Sequence, residues 1–184
     1  KTELVSEKCP EPVAGEIRCK TICSLVSIGT EMICFERKVE PGSLWDGWIQ
    51  YPFTPGYSSV GEVTDTGQGV EGISVGDRVC STCSHRAWFI DKADAVHTVP
   101  AGVSSEQASW FMLNIIVQNG VREAGPVLGE TTVVLGLGPL GQLAVRLLGI
   151  TGQNHLVAVD PLAERCALAQ DNGPTEVLNM SAGE

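Results

Sequence analysis

A glycine-rich turn between an apolar run and an amphipathic segment constrains the fold of this 184-residue chain more than any other feature. The turn consists of Gly136, Leu137, Gly138, Pro139, Leu140 and Gly141. A β-branched run precedes it, apolar residues at helical spacing follow it, and a second apolar run ends at Asp160, nineteen residues beyond Gly141. This order of strand, glycine turn, helix, strand and acid predicts the first half of a doubly wound parallel sheet.

The turn and the acid have the chemistry that a dinucleotide requires. Gly136 permits the tight turn, Gly138 lets the backbone approach a pyrophosphate, and Gly141 lets helix and strand pack closely. The start of the following helix offers free N–H groups and a positive dipole end to the phosphates. A carboxylate at Asp160 can accept both hydroxyls of the adenosine ribose and would repel a 2′-phosphate, so the pattern predicts NAD. Arg165 leaves NADP as the alternative, because its guanidinium could bind a 2′-phosphate. The other interpretation of Arg165 is a solvated surface charge.

The sequence before residue 115 has a different pattern. Residues 11–26 and 57–99 contain short apolar runs separated by glycines, which predict short strands and tight turns in a small barrel. Residues 39–55 contain three prolines, two glycines and two tryptophans, with little periodicity. This segment is predicted to be a long ordered loop that borders a substrate pocket.

The boundary between two domains is predicted after a helix that opens at the cap-like Ser104 and ends near Asn114. The prediction is an α/β plus β fold, with a barrel domain at residues 1–115 and a partial dinucleotide-binding domain at residues 116–184. A third strand is expected near residues 176–178, whereas a complete doubly wound sheet continues to about six strands. The chain is therefore expected to be part of a longer protein.

Composition narrows the class of partner. A formal net charge of −10 argues against nucleic acid, which is bound by clustered lysine and arginine. With 43% hydrophobic residues the chain can form a core, yet it has no apolar run of membrane-spanning length. Seven cysteines, an odd count without the dense spacing of a secreted scaffold, favour a reducing, cytoplasmic setting. We expect a small-molecule substrate, no membrane, and a homodimer for the full-length protein.

Cys80 and Cys83 are the one close cysteine pair, and His85 follows two residues later. Together they could supply two or three zinc ligands. A closed structural zinc site needs a second pair or its equivalent, which the following segment lacks. We therefore predict that these cysteines are small packed side chains and that the chain holds no metal.

Several motifs resemble the medium-chain dehydrogenase/reductase superfamily, in order and through most of the chain. They are GTE at 29–31, PGYSSVGEV at 55–63, GVEGISVGDRV at 69–79, VPAGVSSEQAS at 99–109 and the glycine turn. GTE together with PGYSSVG most resembles the zinc-free branch that includes bacteriochlorophyllide dehydrogenase-like proteins. The resemblance implies a GroES-like barrel that carries the substrate site, a Rossmann domain, and an active site in the cleft between them.

The chain departs from the zinc-dependent members of that superfamily at the ligand positions. Ile28 stands where they have a cysteine before the GT turn, and Tyr57 and Ser58 stand where they have His-Glu after PG. The resemblance therefore implies catalysis without zinc, in which another group stabilises the alkoxide. Tyr57 could exchange a proton with substrate or line the pocket, and His85 could shuttle protons or be structural.

Thr30, Glu31 and Ser58 are the candidate substrate-pocket residues, although Thr30 and Glu31 could instead cap a helix. The resulting prediction is an NAD-dependent oxidoreductase that transfers a hydride between nicotinamide and a secondary alcohol or ketone without zinc. Two alternatives remain open: an NADPH-dependent quinone or enone reductase, and a non-catalytic dinucleotide-binding protein.

Overall fold

The structure is a computed structural model that describes residues 2–181 and 183. It divides into two compact units, the first ending at Met112 and the second beginning at Leu113. This division and the boundary expected after residue 115 both fall within a single helix, Phe111–Ala124.

The first unit is built on an antiparallel sheet. In the described residues its strands are β1 (Glu16–Ser24), β2 (Ser59–Thr66), β3 (Arg78–Ser81), β4 (Trp88–Lys92) and β5 (His97–Thr98), in the order β4-β1-β2-β3-β5. Alternation places Ile17 and Cys19 of β1 in the core. Gly61 of β2 is needed there, because a Cβ atom would stand 2.6 Å from the ring of buried Phe89. The short, glycine-punctuated strands expected from the sequence are confirmed.

Two helices precede β2. They are α1 (Ile28–Glu36) and α2 (Leu44–Trp48). The second lies inside the segment predicted as a loop, where the hydroxyl of Ser43 caps it by accepting from the N–H of Asp46 at 3.2 Å. Trp48 then makes edge-to-face contacts with Trp45 and Phe53, at centroid distances of 5.7 and 5.1 Å. This segment is therefore partly helical and held by aromatic packing.

The helix predicted at Ser104 is two helices, α3 (Ser105–Ala108) and α4 (Phe111–Ala124). The predicted cap is confirmed, because Ser104 and Gln107 form a reciprocal capping box. The predicted end near Asn114 is wrong. Leu113 and Val117, one helical turn apart, are both buried and carry the amphipathic pattern of α4 beyond that point.

The second unit has the predicted order of elements. After α4 come β6 (Thr131–Leu135), α5 (Pro139–Gly149), β7 (His155–Val159), α6 (Ala163–Gln170) and β8 (Glu176–Leu178). The strands are parallel and lie in the order β6-β7-β8. Its core is formed by residues from α5, β7, α6 and the glycine turn, namely Leu137, Val145, Leu148, Leu156, Ala158, Cys166 and Ala169.

In the described part of the chain, no helix has both the length and the apolar character that crossing a membrane requires.

Candidate functional site

The glycine turn joins β6 to α5 in a conformation that depends on two of its glycines. Gly136 has a φ of 89°, in the left-handed region that favours glycine. At Gly141 a Cβ atom would stand 1.9 Å from the carbonyl oxygen of Gly136, so helix and turn approach at a distance that only glycine allows.

Gly138 differs from these two, because local packing does not require it. It is the N-cap of α5 with an ordinary extended backbone, and no described atom lies within 4 Å of where its Cβ would be. No side-chain hydrogen bond caps this helix start within the residues described, and Pro139 follows at the first helical position. The turn therefore presents open space and helix N–H groups, which together suit a phosphate.

Asp160 follows β7 and is 2% exposed. Its Oδ2 accepts a hydrogen bond from the N–H of Leu137 at 2.7 Å, and its Oδ1 accepts one from the N–H of Leu162 at 2.8 Å. These two bonds, with a smaller contribution from Arg165, lower the pKa of the carboxyl group although burial opposes the shift. Asp160 thus ties the glycine turn to the start of α6.

The carboxylate of Asp160 is more enclosed than the sequence analysis assumed. Each oxygen already accepts a backbone N–H, and Oδ2 also accepts from Nη1 of Arg165, so Oδ1 is the oxygen with a remaining lone pair for a ribose hydroxyl. Arg165 lies beside it, with Nη1 3.5 Å from Oδ2 and 45% of its side chain exposed. A positive and a negative group therefore stand together at the end of β7.

Sequence reasoning missed the side chains that support this arrangement. Gln142 donates through Nε2 to the carbonyl oxygens of Leu137, at 3.1 Å, and Arg165, at 2.8 Å. Asn179 donates to the carbonyl oxygen of Asp160 at 3.0 Å. The position of Gln142 directly after Gly141 was the one available signal, since a residue there lies in the first turn of the helix.

In the first unit, the structure brings Tyr57 and Thr30 together. The hydroxyl of Tyr57 donates to Ser27 Oγ at 2.5 Å and lies 3.4 Å from Thr30 Oγ1. All three side chains are half-buried. Ser27 is the N-cap residue of α1, so Thr30 lies inside the helix and does not cap it.

His85 forms a second polar group with Glu31 and Ser24. Its Nε2 lies 3.1 and 3.0 Å from Oε1 and Oε2 of Glu31, and its Nδ1 lies 2.9 Å from Ser24 Oγ. Glu31 also accepts the N–H of Ser27 at 2.8 Å, which satisfies the start of α1. A Cβ atom at Gly56 would stand 2.6 Å from the backbone nitrogen of His85, so the glycine of PG makes room for this histidine.

The structure places two other candidates in the interior. Ser58 is 1% exposed and donates to the carbonyl oxygen of Ser109 at 2.6 Å. Cys80 is buried against the carbonyl of Ala108, and burial raises the pKa of its thiol. No group of three or more His, Cys, Asp or Glu among the described residues stands close enough to hold a metal ion.

Comparison with known proteins agrees with this architecture. Residues 17–108 match the alcohol dehydrogenase GroES-like domain, which is half of the chain. The chain belongs to this family, within the medium-chain dehydrogenase/reductase superfamily. The expected GroES-like domain followed by a partial Rossmann-like parallel sheet is thereby confirmed.

Individual relatives are dehydrogenases and oxidoreductases. The chain is 28% identical to L-threonine 3-dehydrogenase of Pyrococcus abyssi, over 96% of this chain and 58% of that protein. It is 32% identical to D-guloside 3-dehydrogenase of Shigella flexneri, over 69% of this chain and 37% of that protein. The solved structure of Escherichia coli quinone oxidoreductase complexed with NADPH has the same fold, with a TM-score of 0.76 and 22% identity over 95% and 53% of the two chains. The chain thus spans 58% of the threonine dehydrogenase, 53% of the quinone oxidoreductase and 37% of the guloside dehydrogenase.

Proposed function

We propose that the protein is an NAD-dependent oxidoreductase that transfers a hydride between nicotinamide and a secondary alcohol or ketone without catalytic zinc. The observation that carries the proposal is the arrangement around Asp160, whose carboxylate holds a glycine turn beside open space and an uncapped helix start. The names of relatives support the reaction class, since two are dehydrogenases. One structural neighbour was solved with NADPH, which supports a pyridine nucleotide.

The residues present fit such a cofactor. The N–H groups at the start of α5 would hold the pyrophosphate, Gly138 would let it approach, and Asp160 would accept a ribose hydroxyl through Oδ1. Bound NAD would accept the hydride in alcohol oxidation, and NADH would donate it in ketone reduction. Ile28, Tyr57 and Ser58 occupy the positions that hold zinc ligands in the zinc enzymes. The protein must therefore supply another group that exchanges the proton of the alcohol.

Tyr57 is the group that we assign to this proton exchange. Its hydroxyl is half-buried and held by Ser27, with Thr30 beside it, so the oxygen has a defined position. In ketone reduction the phenol would transfer its O–H proton from the hydrogen bond with Ser27 to the developing alkoxide and become a phenolate, and in alcohol oxidation that phenolate would take up the proton of the alcohol. Thr30 would contact substrate next to it. His85 is the second candidate group, with both ring nitrogens already engaged.

A second candidate function is that of an NADPH-dependent reductase of quinones or enones. Arg165 favours it, because a partly exposed guanidinium 3.5 Å from Asp160 could pair with a 2′-phosphate. The buried carboxylate opposes it by like charge. A non-catalytic dinucleotide-binding protein is the third possibility, and a protein that binds NAD but transfers no hydride to any substrate would support it.

The cofactor preference is testable by calorimetric titration with NAD and NADP. We expect NAD to bind roughly 5- to 150-fold more tightly, equivalent to about 1–3 kcal/mol, because NADP loses a ribose hydroxyl and brings a like charge toward Asp160. Asp160→Asn should reduce this preference, whereas Asp171→Asn at the exposed end of α6 should leave it unchanged. Tighter binding of NADP by the unaltered protein would contradict the proposal.

The absence of catalytic zinc is testable by elemental analysis after dialysis. We expect less than stoichiometric zinc and a melting temperature that a chelator leaves unchanged, because structural zinc contributes directly to folding. Retention of one zinc per chain would overturn this expectation and would direct attention first to Cys80, Cys83 and His85. A Cys80→Ser, Cys83→Ser double variant would then show whether that pair holds it.

The cellular location and the oligomeric state of the protein are separate proposals. We propose the reducing cytoplasm as its location, because the seven cysteines are an odd number and lack the dense spacing of a secreted scaffold. A homodimer is proposed for the full-length protein, with a small molecule as its substrate.

A further inference from the structure

Glu31 links the two candidate proton-exchanging groups, because it contacts His85 directly and Tyr57 through Ser27. Its carboxylate lies against Nε2 of His85, at 3.1 and 3.0 Å from its two oxygens. Its Oε1 also accepts the N–H of Ser27 at 2.8 Å, and Ser27 Oγ accepts the hydroxyl of Tyr57 at 2.5 Å. The side chain of Glu31 is 13% exposed, so it is largely withdrawn from solvent.

These contacts determine which nitrogen of His85 carries a fixed proton. An ionised carboxylate only accepts hydrogen bonds, so Nε2 must donate to Glu31. In the neutral imidazole Nδ1 then has no proton and accepts from the hydroxyl of Ser24, 2.9 Å away. In the imidazolium Nδ1 donates to the same hydroxyl. In both forms the Nε2 proton stays in place, and exchange is confined to Nδ1 on the Ser24 side.

We propose that Glu31 is a positioning residue and does not contact substrate. It fixes the proton on Nε2 of His85, it leaves Nδ1 as the exchanging nitrogen, and it holds Ser27 where that residue receives Tyr57. The catalytic consequence rests on the function proposed above. The placement of the proton does not, because it concerns the free protein.

The test begins with long-range ¹H–¹⁵N NMR of the histidine side chains, assigned with a His85→Gln variant. We expect His85 to show a slowly exchanging proton on Nε2. Glu31→Ala should lose that slow exchange, whereas Glu36→Gln should retain it, because Glu36 ends the same helix and pairs with Lys38 at 2.9 Å. A proton fixed on Nδ1, or a slowly exchanging Nε2 proton that survives in Glu31→Ala, would overturn the proposal.

Glu31→Gln keeps a hydrogen-bond acceptor while removing the charge, and it remains informative if the alanine variant does not fold. In the active protein we expect it to lower kcat roughly tenfold or more with little change in KM, and Glu31→Asp to recover part of the loss. A raised KM with unchanged kcat would indicate that Glu31 binds substrate and would overturn the positioning role. Failure of the proposed function would look different: the NMR result would hold, and no variant would transfer a hydride.

Discussion

Replacing Gly141 with alanine is expected to unfold the second unit and to abolish cofactor binding. The new Cβ atom would stand 1.9 Å from the carbonyl oxygen of Gly136 and 2.9 Å from its carbonyl carbon. Both are backbone atoms, so no side-chain rotation relieves the overlap, and α5 must separate from the turn. We expect a loss of about 3 kcal/mol or more in the free energy of unfolding, measured by urea denaturation with circular dichroism.

Gly138→Ala is the matched control, three residues earlier in the same turn. Its backbone has a φ of −65°, and its Cβ would meet none of the described atoms within 4 Å. The free energy of unfolding should therefore stay within about 0.5 kcal/mol. Binding of NAD should nevertheless weaken roughly tenfold or more, because the methyl group would occupy the space through which the pyrophosphate approaches. Unchanged stability in Gly141→Ala, or unchanged affinity in Gly138→Ala, would show that this turn does not work as proposed.

A polypeptide of these 184 residues is expected to self-associate through β6. Within the described sheet β6 pairs with β7 alone, and its Val133 and Leu135 are 53% and 62% exposed. They line a groove of about 890 Å³ whose walls include apolar residues of α4 and α5, among them Ile116, Val117, Val121, Ala144 and Leu148. Parallel strands are normally covered on both faces, and an open apolar edge invites pairing with another chain.

Light scattering after size-exclusion chromatography measures this association. We expect a mass at least twice that of the monomer, or a concentration-dependent distribution. Replacing Val133 and Leu135 with lysine should restore the monomer, because charge at an edge disfavours pairing. The control is Leu168→Lys on α6, because Leu168 is 66% exposed and does not line the groove. This variant should self-associate to the same extent as the parent chain. A monodisperse monomer of the parent chain would contradict the prediction.

The dinucleotide half of the site was predictable because its parts are close in sequence. Strand, turn and helix follow one another without interruption, and Asp160 directly follows the next strand. Gly136 and Gly141 each have a local requirement, a positive φ and a close approach of helix and turn, that a sequence pattern expresses directly. What the pattern did not show was the enclosure of Asp160, since its bond from Leu137 spans 23 residues and depends on how the two strands pair.

The barrel half was less predictable because its polar contacts are long-range. His85 meets Glu31 across 54 residues and Ser24 across 61, and no local period encodes either contact. Ser58, the first serine of PGYSSVG, illustrates the same limit. Ser58 is a pocket candidate from its position in that motif, and the sequence does not show that a carbonyl 51 residues away satisfies its hydroxyl and allows its burial.

Deuteride transfer from NADH labelled at nicotinamide C4 tests hydride transfer without zinc most directly. The chelator-treated protein, at the length of its relatives, would be incubated with labelled NADH and a panel of ketones, enones and quinones, and the products analysed by mass spectrometry. We predict deuterium on the carbinol carbon of a secondary alcohol, at a rate that added zinc does not change. Deuterium in no product, or transfer that appears only when zinc is restored, would contradict the proposed function.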